Sequence, residues 1–530
     1  MSNDALMPEV TSRRKLYGFI TILSVIVFLV VGVGMLKKDP HIPLLMGSIV
    51  GTTLAILDGW KYQQIEKGMI NAIGLAMQAI MILMVIGILI GSWVLGGIIP
   101  SLVYYGLGII SPQFFLISSL LICSVISIST GTSWATVGTV GIVLIAIASA
   151  LGINLGIAAG AIVSGAYFGD KLSPLSDTTN LAAGGAGADV FLHIRSMIFT
   201  TVPNYIVTSI IYIVLGFVLF KGNTGDISQI TALQDVLRDS TNISLLTLLA
   251  PGMVLLIVAF KIPALPGLLG AAIIGFLSAM ALQGVFSLDT IIEVAHYGYT
   301  FDGSTLPADA AEKVAVFFNE QSLVKGENFY AGMTYFTADG EMVNNVKELL
   351  GYSPKALNDA NELLSVGGMD SMLWTINLII CAMIFGGVLE FSGMLASVVD
   401  TMKVFTRGQT SLIATASITA VLVNILSSDQ YISIILPIRM FKQRFKELNL
   451  SPRLHSRVGD SAGTMTSALV PWNTCGATMS GFLGVSSAQY GPWAFFNWLS
   501  PVFEILAGLV GYKIFKRDED IAAGLIDESL

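Results

Sequence analysis

Apolar residues run along this chain in long blocks with almost no charge; Ile20 to Leu36 and Ala72 to Tyr104 are two of them. Blocks of this length match the roughly 20 apolar residues that cross a bilayer's hydrocarbon core. Read this way, the sequence predicts ten membrane spans, at 16–35, 41–57, 69–95, 154–190, 196–220, 244–259, 262–284, 371–391, 458–485 and 493–515. Two more long apolar segments, 112–152 and 410–441, fit the charge distribution only if each leaves the membrane on the side it entered. Each is therefore expected to be a re-entrant hairpin, turning near Gly131-Thr132-Ser133-Trp134 and Ser427-Ser428-Asp429-Gln430.

Composition agrees. With 54% hydrophobic and 12% charged residues and a mean hydropathy of +0.78, the chain falls outside soluble domains, which run near one quarter charged. That excludes soluble enzymes, nucleic-acid binders and secreted disulfide scaffolds, and makes the lipid bilayer the expected partner. Cys123, Cys381 and Cys475 lack disulfide or zinc spacing and read as packing residues, and the four histidines are scattered. The basic start at Arg13, Arg14 and Lys15 precedes an apolar core too long, with too poor a cleavage site, for a signal peptide, so a retained first span is expected.

The net charge of −8 is unevenly placed: between Asp302 and Asp370 eleven acids face four lysines. From Arg439 to Arg457 the sign reverses, with six basic residues against Glu447. Basic loops are retained on the cytoplasmic side, whereas long acidic loops translocate freely. The crossing count then puts both termini and the Arg439–Arg457 loop in the cytoplasm, and the acidic insert, punctuated by Gly326, Gly332 and Gly340, outside.

The two halves can be laid over one another. At an offset of 296, Gly91 meets Gly387, Gly97 meets Gly393 and the two hairpin tips coincide; at 290, Gly169-Asp170 meets Gly459-Asp460. By the crossing count the first hairpin enters from outside and the second from inside, the arrangement of an inverted repeat, in which interrupted helices place a transport site near the midplane. The expected fold is an all-α polytopic membrane protein with two inverted repeats, each with a re-entrant hairpin and an interrupted helix. Its parts are a two-helix segment 1–68, a first repeat 69–220, linking spans 221–284, an external acidic insert 285–370, a second repeat 371–515 and a cytoplasmic tail 516–530.

The interruptions carry the chemistry. Gly169, Pro174 and their neighbours loosen the helix around Asp170-Lys171-Leu172-Ser173-Pro174-Leu175-Ser176-Asp177-Thr178-Thr179-Asn180. Freed carbonyls survive at membrane depth only when buried in protein or lining a wet cavity. Carboxylates, hydroxyls and amides beside them make an oxygen-rich pocket suited to a hard cation. The second half offers Gly459-Asp460-Ser461-Ala462-Gly463-Thr464-Met465-Thr466-Ser467 and then Pro471-Trp472-Asn473-Thr474-Cys475-Gly476. Taken singly, Thr132, Ser133, Thr464 or Thr466 reads more readily as a packing hydroxyl than as a ligand. The acids differ, because a charge at the bilayer centre costs at least about 2.5 kcal/mol; Asp170, Asp177, Asp429 and Asp460 are therefore functional candidates, ahead of Glu390 and Asp400. Lys171 could instead neutralise Asp170 or act as a partner cation.

At these residues the chain resembles the NhaC-type sodium/proton antiporters. The stretches that carry the resemblance are GTSWATVGTVG (131–141), SGAYFGDKLSPLSDTTNLAA (164–183), HIRSMIFTTVP (193–203), SSDQYISIILPIRMFK (427–442), the run 451–485 containing VPWNTCGA, and AFFNWLSPVFEI (495–506). The resemblance implies a multi-pass carrier of the bacterial inner membrane. That family also includes an exchanger of malate and sodium-lactate, and carriers devoted to amino acids. The insert is longer than expected between the halves of a typical member.

The expected activity is secondary active transport, exchanging Na+ for H+ at a midplane carboxylate. Burial favours the protonated acid, so one carboxylate holds either a proton or a sodium ion, and the competition couples the fluxes. The shared role falls to Asp170 or Asp177, with Na+ expected at Asp170, Asp177 and Asp460. Auxiliary oxygens are expected from Ser173, Thr178, Asn180, Asp429, Asp460, Thr464 and Asn473, and no cofactor beyond Na+ is implied. The alternative keeps the fold and moves a small carboxylate or amino acid, with Ser133, Trp134, Asn473 and Thr474 as contacts. A passive channel lacks a ring-forming motif here, and an enzyme lacks a nucleophile–base pair. Gly87-x-x-x-Gly91 and Gly156-x-x-x-Gly160 permit close helix contacts, within one protomer or in a homodimer.

Overall fold

The computed structural model describes residues 11–109, 111–220, 227–253, 260, 264–307, 310–311, 314, 335–336, 342–343 and 352–526. Part of the predicted span 244–259, and Gly326, Gly332 and Gly340 of the insert, lie outside the described residues. What is described is helical apart from a two-residue antiparallel pair in the insert, Tyr335–Phe336 with Met342–Val343. Among the described residues eight helices are long and apolar enough to cross a membrane. The protein is a polytopic membrane protein.

The first half runs α1 (Ser12–Leu29, continued by a π-helical stretch Val30–Met35), α2 (His41–Leu57), α3 (Tyr62–Leu95) and α4 (Ile98–Ile109). It continues with α5 (Pro112–Thr130), α6 (Ser133–Ala150), α7 (Leu155–Leu172), α8 (Asp177–Ala186) and α9 (Val190–Leu219). The linking and insert segments contribute α10 (Ile227–Ser240), α11 (Ala264–Leu282), α12 (Leu288–Tyr297) and α13 (Pro354–Leu364). The second half has α14 (Leu373–Phe391), α15 (Met394–Asp400), α16 (Gln409–Ser427), α17 (Gln430–Glu447), α18 (Pro452–Ser467), α19 (Thr474–Leu483), α20 (Phe495–Val510) and α21 (Arg517–Ala522). α3 starts seven residues before its predicted span, because its first turns carry Gln63, Gln64, Glu66 and Lys67, which an apolar window passes over.

The capping residues recur at one spacing. Asn154 and Ser451 cap α7 and α18, Ser176 and Asn473 cap α8 and α19, and Gly187 and Gly484 end those two short helices in left-handed conformations; each pair is 297 residues apart. The tips follow the same spacing. Gly131 (φ 72°) and Ser428 (φ 61°) both adopt the left-handed conformation, and Thr132 and Asp429, next in the chain, cap α6 and α17. Packing repeats too: the Ser127 hydroxyl donates to the Ala166 carbonyl and the Asn424 side-chain amide to the Gly463 carbonyl, both at 2.6 Å, with both partners displaced by 297.

This spacing corrects two expectations. The tips align one residue later than the offset of 296, which holds only as far as Gly97 and Gly393, both with positive φ. Asp170 and Asp460 are not equivalent: 297 places Ser467 opposite Asp170 and Val163 opposite Asp460. The chain breaks at 173–176 and 468–473, so Asp460 lies inside unbroken α18 and not at a kink. Glycines 169, 459 and 463 stay helical because they serve close packing; a Cβ on Gly169 would come within 2.5 Å of the α5 backbone.

Contacts define the face that carries the basic residues. Arg14 pairs with Asp58 (2.6 Å), Lys15 with Asp400 (2.9 Å), Arg444 donates to the Thr406 carbonyl (2.9 Å) and Lys516 to Gln409 (2.7 Å). Arg453 and Ser451 hold Asp520 of α21. Arg457, expected in the basic loop, is instead fully buried and bonded to Glu504 of α20 (2.9 Å). The insert returns to the core through a glycine seam: the Gly368 amide donates to the Gly87 carbonyl of α3 (2.7 Å), and Met369 to the Ala295 carbonyl (3.0 Å). Gly87-x-x-x-Gly91 is therefore used within the chain, against Gly367 and Gly368.

Candidate functional site

Each helical hairpin presses its tip against the chain break of its own half. Gly131 lies against Leu175 and Ser176, and the Thr474 amide donates to the Ser428 carbonyl (2.9 Å). Between the two tips is a cavity lined by Asp170, Asp177, Thr178, Thr132, Ser133 and Trp134 from the first half, and Asp429, Gln430, Tyr431 and Thr474 from the second. Leu75, Gln78, Ala79 and Ile82 of α3 and Leu268 of α11 complete the wall. Three carboxylates and no lysine, arginine or histidine face this cavity among the described residues.

Four helix amino-ends meet here, those of α6, α8, α17 and α19, capped by Thr132, Ser176, Asp429 and Asn473. Free amides and the helix dipole make such ends favourable for negative charge. Asp170 takes advantage of one: its Oδ2 accepts from the Ser133 amide (3.2 Å) and hydroxyl (2.7 Å), while Oδ1, buried, has no partner among the described residues. Asp177, in the first turn of α8, accepts from the Thr178 amide (3.0 Å) and, across the halves, from the Tyr431 hydroxyl (2.5 Å). Asp429 spends Oδ1 on the Ile432 amide as the cap of α17 (2.9 Å).

Among the described residues, no three His, Cys, Asp or Glu side chains come close enough together to hold a metal ion by themselves. A hard cation in the cavity would therefore be met by at most two carboxylates supplemented by hydroxyl and amide oxygens or water, an oxygen set that suits an alkali ion. The donors present fit that requirement.

The sequence-based candidates divide. Asp170, Asp177, Asp429, Thr132, Ser133, Thr178 and Thr474 line the cavity. Asn180 instead donates to the Pro174 and Ser176 carbonyls (3.0 and 2.6 Å) and braces the break. Ser173 lies in the break, where its hydroxyl accepts from the Leu175 amide (3.4 Å). Asn473 caps α19 and donates to Asn424 (3.0 Å), whose own amide reaches Thr466 (2.9 Å). Asp460 does not join Asp170 and Asp177 around one ion: it is buried in α18, accepts from the Thr464 hydroxyl and lies 3.4 Å from His193. Nor does Lys171 neutralise Asp170; its ammonium is buried on the Ser461 and Ser500 hydroxyls (3.0 and 2.9 Å). Sequence reasoning places Gln430 in a hairpin turn without giving it a part in the site and misses Gln78 and Tyr431, although Gln78 stands as a lone amide inside an apolar run.

The Na+/H+ antiporter family matches residues 165–314 and 304–512. The chain is 34% identical to the Na+/H+ antiporter NhaC of Alkalihalophilus pseudofirmus, over 95% of this chain and 98% of that one. It is equally 34% identical to the malate-2H+/Na+-lactate antiporter of Bacillus subtilis, over 94% of each chain. Against the arginine/ornithine antiporter ArcD of Halobacterium salinarum identity is 33%, over 96% of this chain and 95% of the relative.

Proposed function

The chain belongs to the Na+/H+ antiporter family, and from that premise we propose that it exchanges Na+ for H+ at the cavity between the two hairpin tips. The observation that carries this reading is the three-carboxylate wall with no facing basic side chain, in which Asp170 keeps one buried oxygen without a partner. An uncompensated buried carboxylate is costly. Either a proton or a sodium ion relieves that cost, and one site cannot hold both comfortably, so loading one expels the other.

In this reading Asp170 is the shared carboxylate. Asp177 and Asp429 supply field and further oxygens, and Ser133, Thr178 and Thr474 contribute neutral ligands. Asp460, Thr464, Thr466 and Asn473 act from behind the wall.

The hairpins are read as re-entrant and oppositely inserted. The second begins and ends on the basic face, where Gln409 meets Lys516 and Arg444 meets Thr406. The first begins beside Gly216 of α9, twenty residues or about 30 Å along that helix from Ser196, which bonds to the Arg453 carbonyl on the basic face. It ends at Ser149, in a cavity shared with Tyr299 and Gly367 of the insert. Hairpins read in this way, with tips that meet at one cavity, suit alternating access around a central site. With the basic face cytoplasmic, both chain ends lie inside and the insert outside, in a cell membrane.

The test is a sodium jump in proteoliposomes with an internal pH dye. Sodium-driven proton movement is expected in the wild type and is lost in Asp170→Asn; Asp177→Asn and Asp429→Asn weaken it. Undiminished exchange in both Asp170→Asn and Asp177→Asn would refute the assignment. The relatives that carry malate, lactate, arginine or ornithine, together with the four helix amino-ends able to meet a substrate carboxylate, favour one second reading, coupled transport of a small carboxylate or amino acid. Sodium-dependent uptake of those labelled solutes distinguishes the two.

A further inference from the structure

Three helices, α3, α6 and α19, run side by side from the three-carboxylate cavity to the cavity beside the insert. α3 gives Ile82 to the first and Ile90 to the second, α6 gives Ala135 and Ile142, and α19 gives Thr474 and Gly481. The two cavities are thus seven or eight residues apart along each helix, about 10–12 Å at the α-helical rise. What separates them is apolar. Leu83 and Ile86 of α3 and Phe482 of α19 are buried in this interval. Ile86 and Phe482 close over Gly138 of α6, where a Cβ would come within 2.5 Å of Ile86 and 3.3 Å of the Phe482 ring, and Leu83 sits in the same way over Gly481, at 3.0 Å. An ion cannot shed its water in such a plug without great cost, so apolar constrictions of this kind act as gates.

The plug is built to part. The atoms that meet Gly138 and Gly481 are the far ends of side chains, whereas α3 is pinned to the insert through backbone, the Gly368 amide on the Gly87 carbonyl. A small shift of α6 and α19 against α3 would open the plug and leave that seam whole. Gly138 also lies in a π-helical stretch of α6, Val137–Gly141, a rare widening of the helix that recurs at functional positions. The outer cavity has its own electrical character. It measures about 550 Å³, room enough for a hydrated ion. Among the described residues of its wall, Glu362 alone is charged. The carboxyl ends of α6, α12, α13 and α19 reach it at Ser149, Tyr297, Leu363 and Leu483, and helix carboxyl ends favour positive charge.

We propose that this outer cavity is the external mouth of the ion path: it gathers small cations and passes them to the three-carboxylate cavity between α3, α6 and α19 when the plug of Leu83, Ile86 and Phe482 parts. The proposal rests on the reading of the central cavity as the exchange site and adds to it a route and a charge preference. α6 and α19 turn their amino ends to the central cavity and their carboxyl ends to the outer one. Cations are therefore favoured at the mouth and organic anions disfavoured there. With the plug closed, as in this structure, the central cavity is sealed from the insert side.

Thiol labelling of the full-length protein in right-side-out vesicles tests this. Cys123, Cys381 and Cys475 are replaced by alanine or, should that chain not fold, kept, and the increment over the parent chain is read. The probes are two membrane-impermeant methanethiosulfonates, one bearing trimethylammonium and one bearing sulfonate. Ser149→Cys, in the outer cavity, is expected to react from outside. Relative to a free thiol in solution, it favours the cationic reagent by about three- to tenfold, the scale of one nearby charge in a wet cavity, and Glu362→Gln lowers that preference. Ala79→Cys, in the wall of the central cavity, reacts slowly from outside, and Ile86→Ala speeds it severalfold; Phe482→Ala replaces Ile86→Ala if the latter does not fold. An unreactive Ser149→Cys, a preference there for the sulfonate or for neither reagent, or no gain at Ala79→Cys when the plug is truncated overturns the proposal. None of these rates depends on sodium exchange, so failure of the route and failure of the exchange assay are told apart.

Discussion

The Tyr431 hydroxyl, on the second half, donates to the Asp177 carboxylate, on the first, at 2.5 Å in the wall of the cavity. It is a side-chain bond between the two halves at the site itself. A cation approaching Asp177 has to share that oxygen with a donor already in place, and hydrogen bonds to charged groups contribute about 1.5–3 kcal/mol. Tyr431→Phe removes the competitor without removing the ring. The sodium concentration for half-maximal exchange is expected to fall by about three- to tenfold, a shift of about 1 kcal/mol, with a smaller change in maximal rate. An unchanged sodium dependence would show that Tyr431 does not guard the carboxylate.

Arg457 and Glu504 are both fully buried and paired through two contacts. Removing one partner strands a charge away from water, which costs about 3–5 kcal/mol, whereas replacing both by apolar side chains of similar volume is often neutral. Glu504→Gln and Arg457→Met should each lower the melting temperature in detergent markedly. Combining Arg457→Met with Glu504→Leu should recover most of the loss. Additive losses in the double variant would contradict this account.

A Cβ on Gly87 would collide with the Gly368 carbonyl oxygen, and Gly368 itself has φ of +78°. Neither atom belongs to a flexible side chain, so the seam cannot yield by rotamer changes. Gly87→Ala is expected to push the insert off α3. Susceptibility of the insert to protease in intact vesicles should rise, while Gly74→Ala, on the same helix with open space around it, leaves it unchanged.

At the basic face, hydrogen bonds from Lys15 and Lys403 hold the Asp400 carboxyl below its usual range. A carboxyl whose folded value is depressed adds stability that is fully present above its unfolded value, near 3.9, and is lost as pH falls through the lower folded value. The difference in melting temperature between wild type and Asp400→Asn should be constant from about pH 7 to about pH 5 and vanish in stronger acid. Partial exposure of Asp400 keeps that difference small. A difference that persists in acid would assign the effect to packing.

Much of this was legible in the chain itself. The hairpin tips at 131 and 428 and the break containing Pro174 follow from glycine, proline and small polar residues interrupting apolar runs, a local signal that tertiary packing does not override. Asp170, Asp177 and Asp429 stand out in the sequence because an acid inside an apolar block is costly and therefore a candidate, and all three line the cavity. Asp460 was assigned to the same ion because its neighbours, Gly459 and Gly463, read as breakers, yet they fit beneath Ile438 and Ser433 of α17 and leave the helix intact. Arg457 looked like one more loop cation because Glu504, 47 residues further on, gave no sign of reaching it. Tyr431 is invisible to hydropathy: its importance lies in the residue opposite, and only the fold brings the two together.

The four helix amino-ends around the cavity bear on turnover. Oriented peptide dipoles already compensate part of the acids' negative charge before any guest arrives. In the proposed exchange, that tempers the grip on sodium. A carrier that clutched its passenger in an unopposed negative well would fill once and stall, whereas a well partly levelled by the backbone lets the passenger leave on the far side.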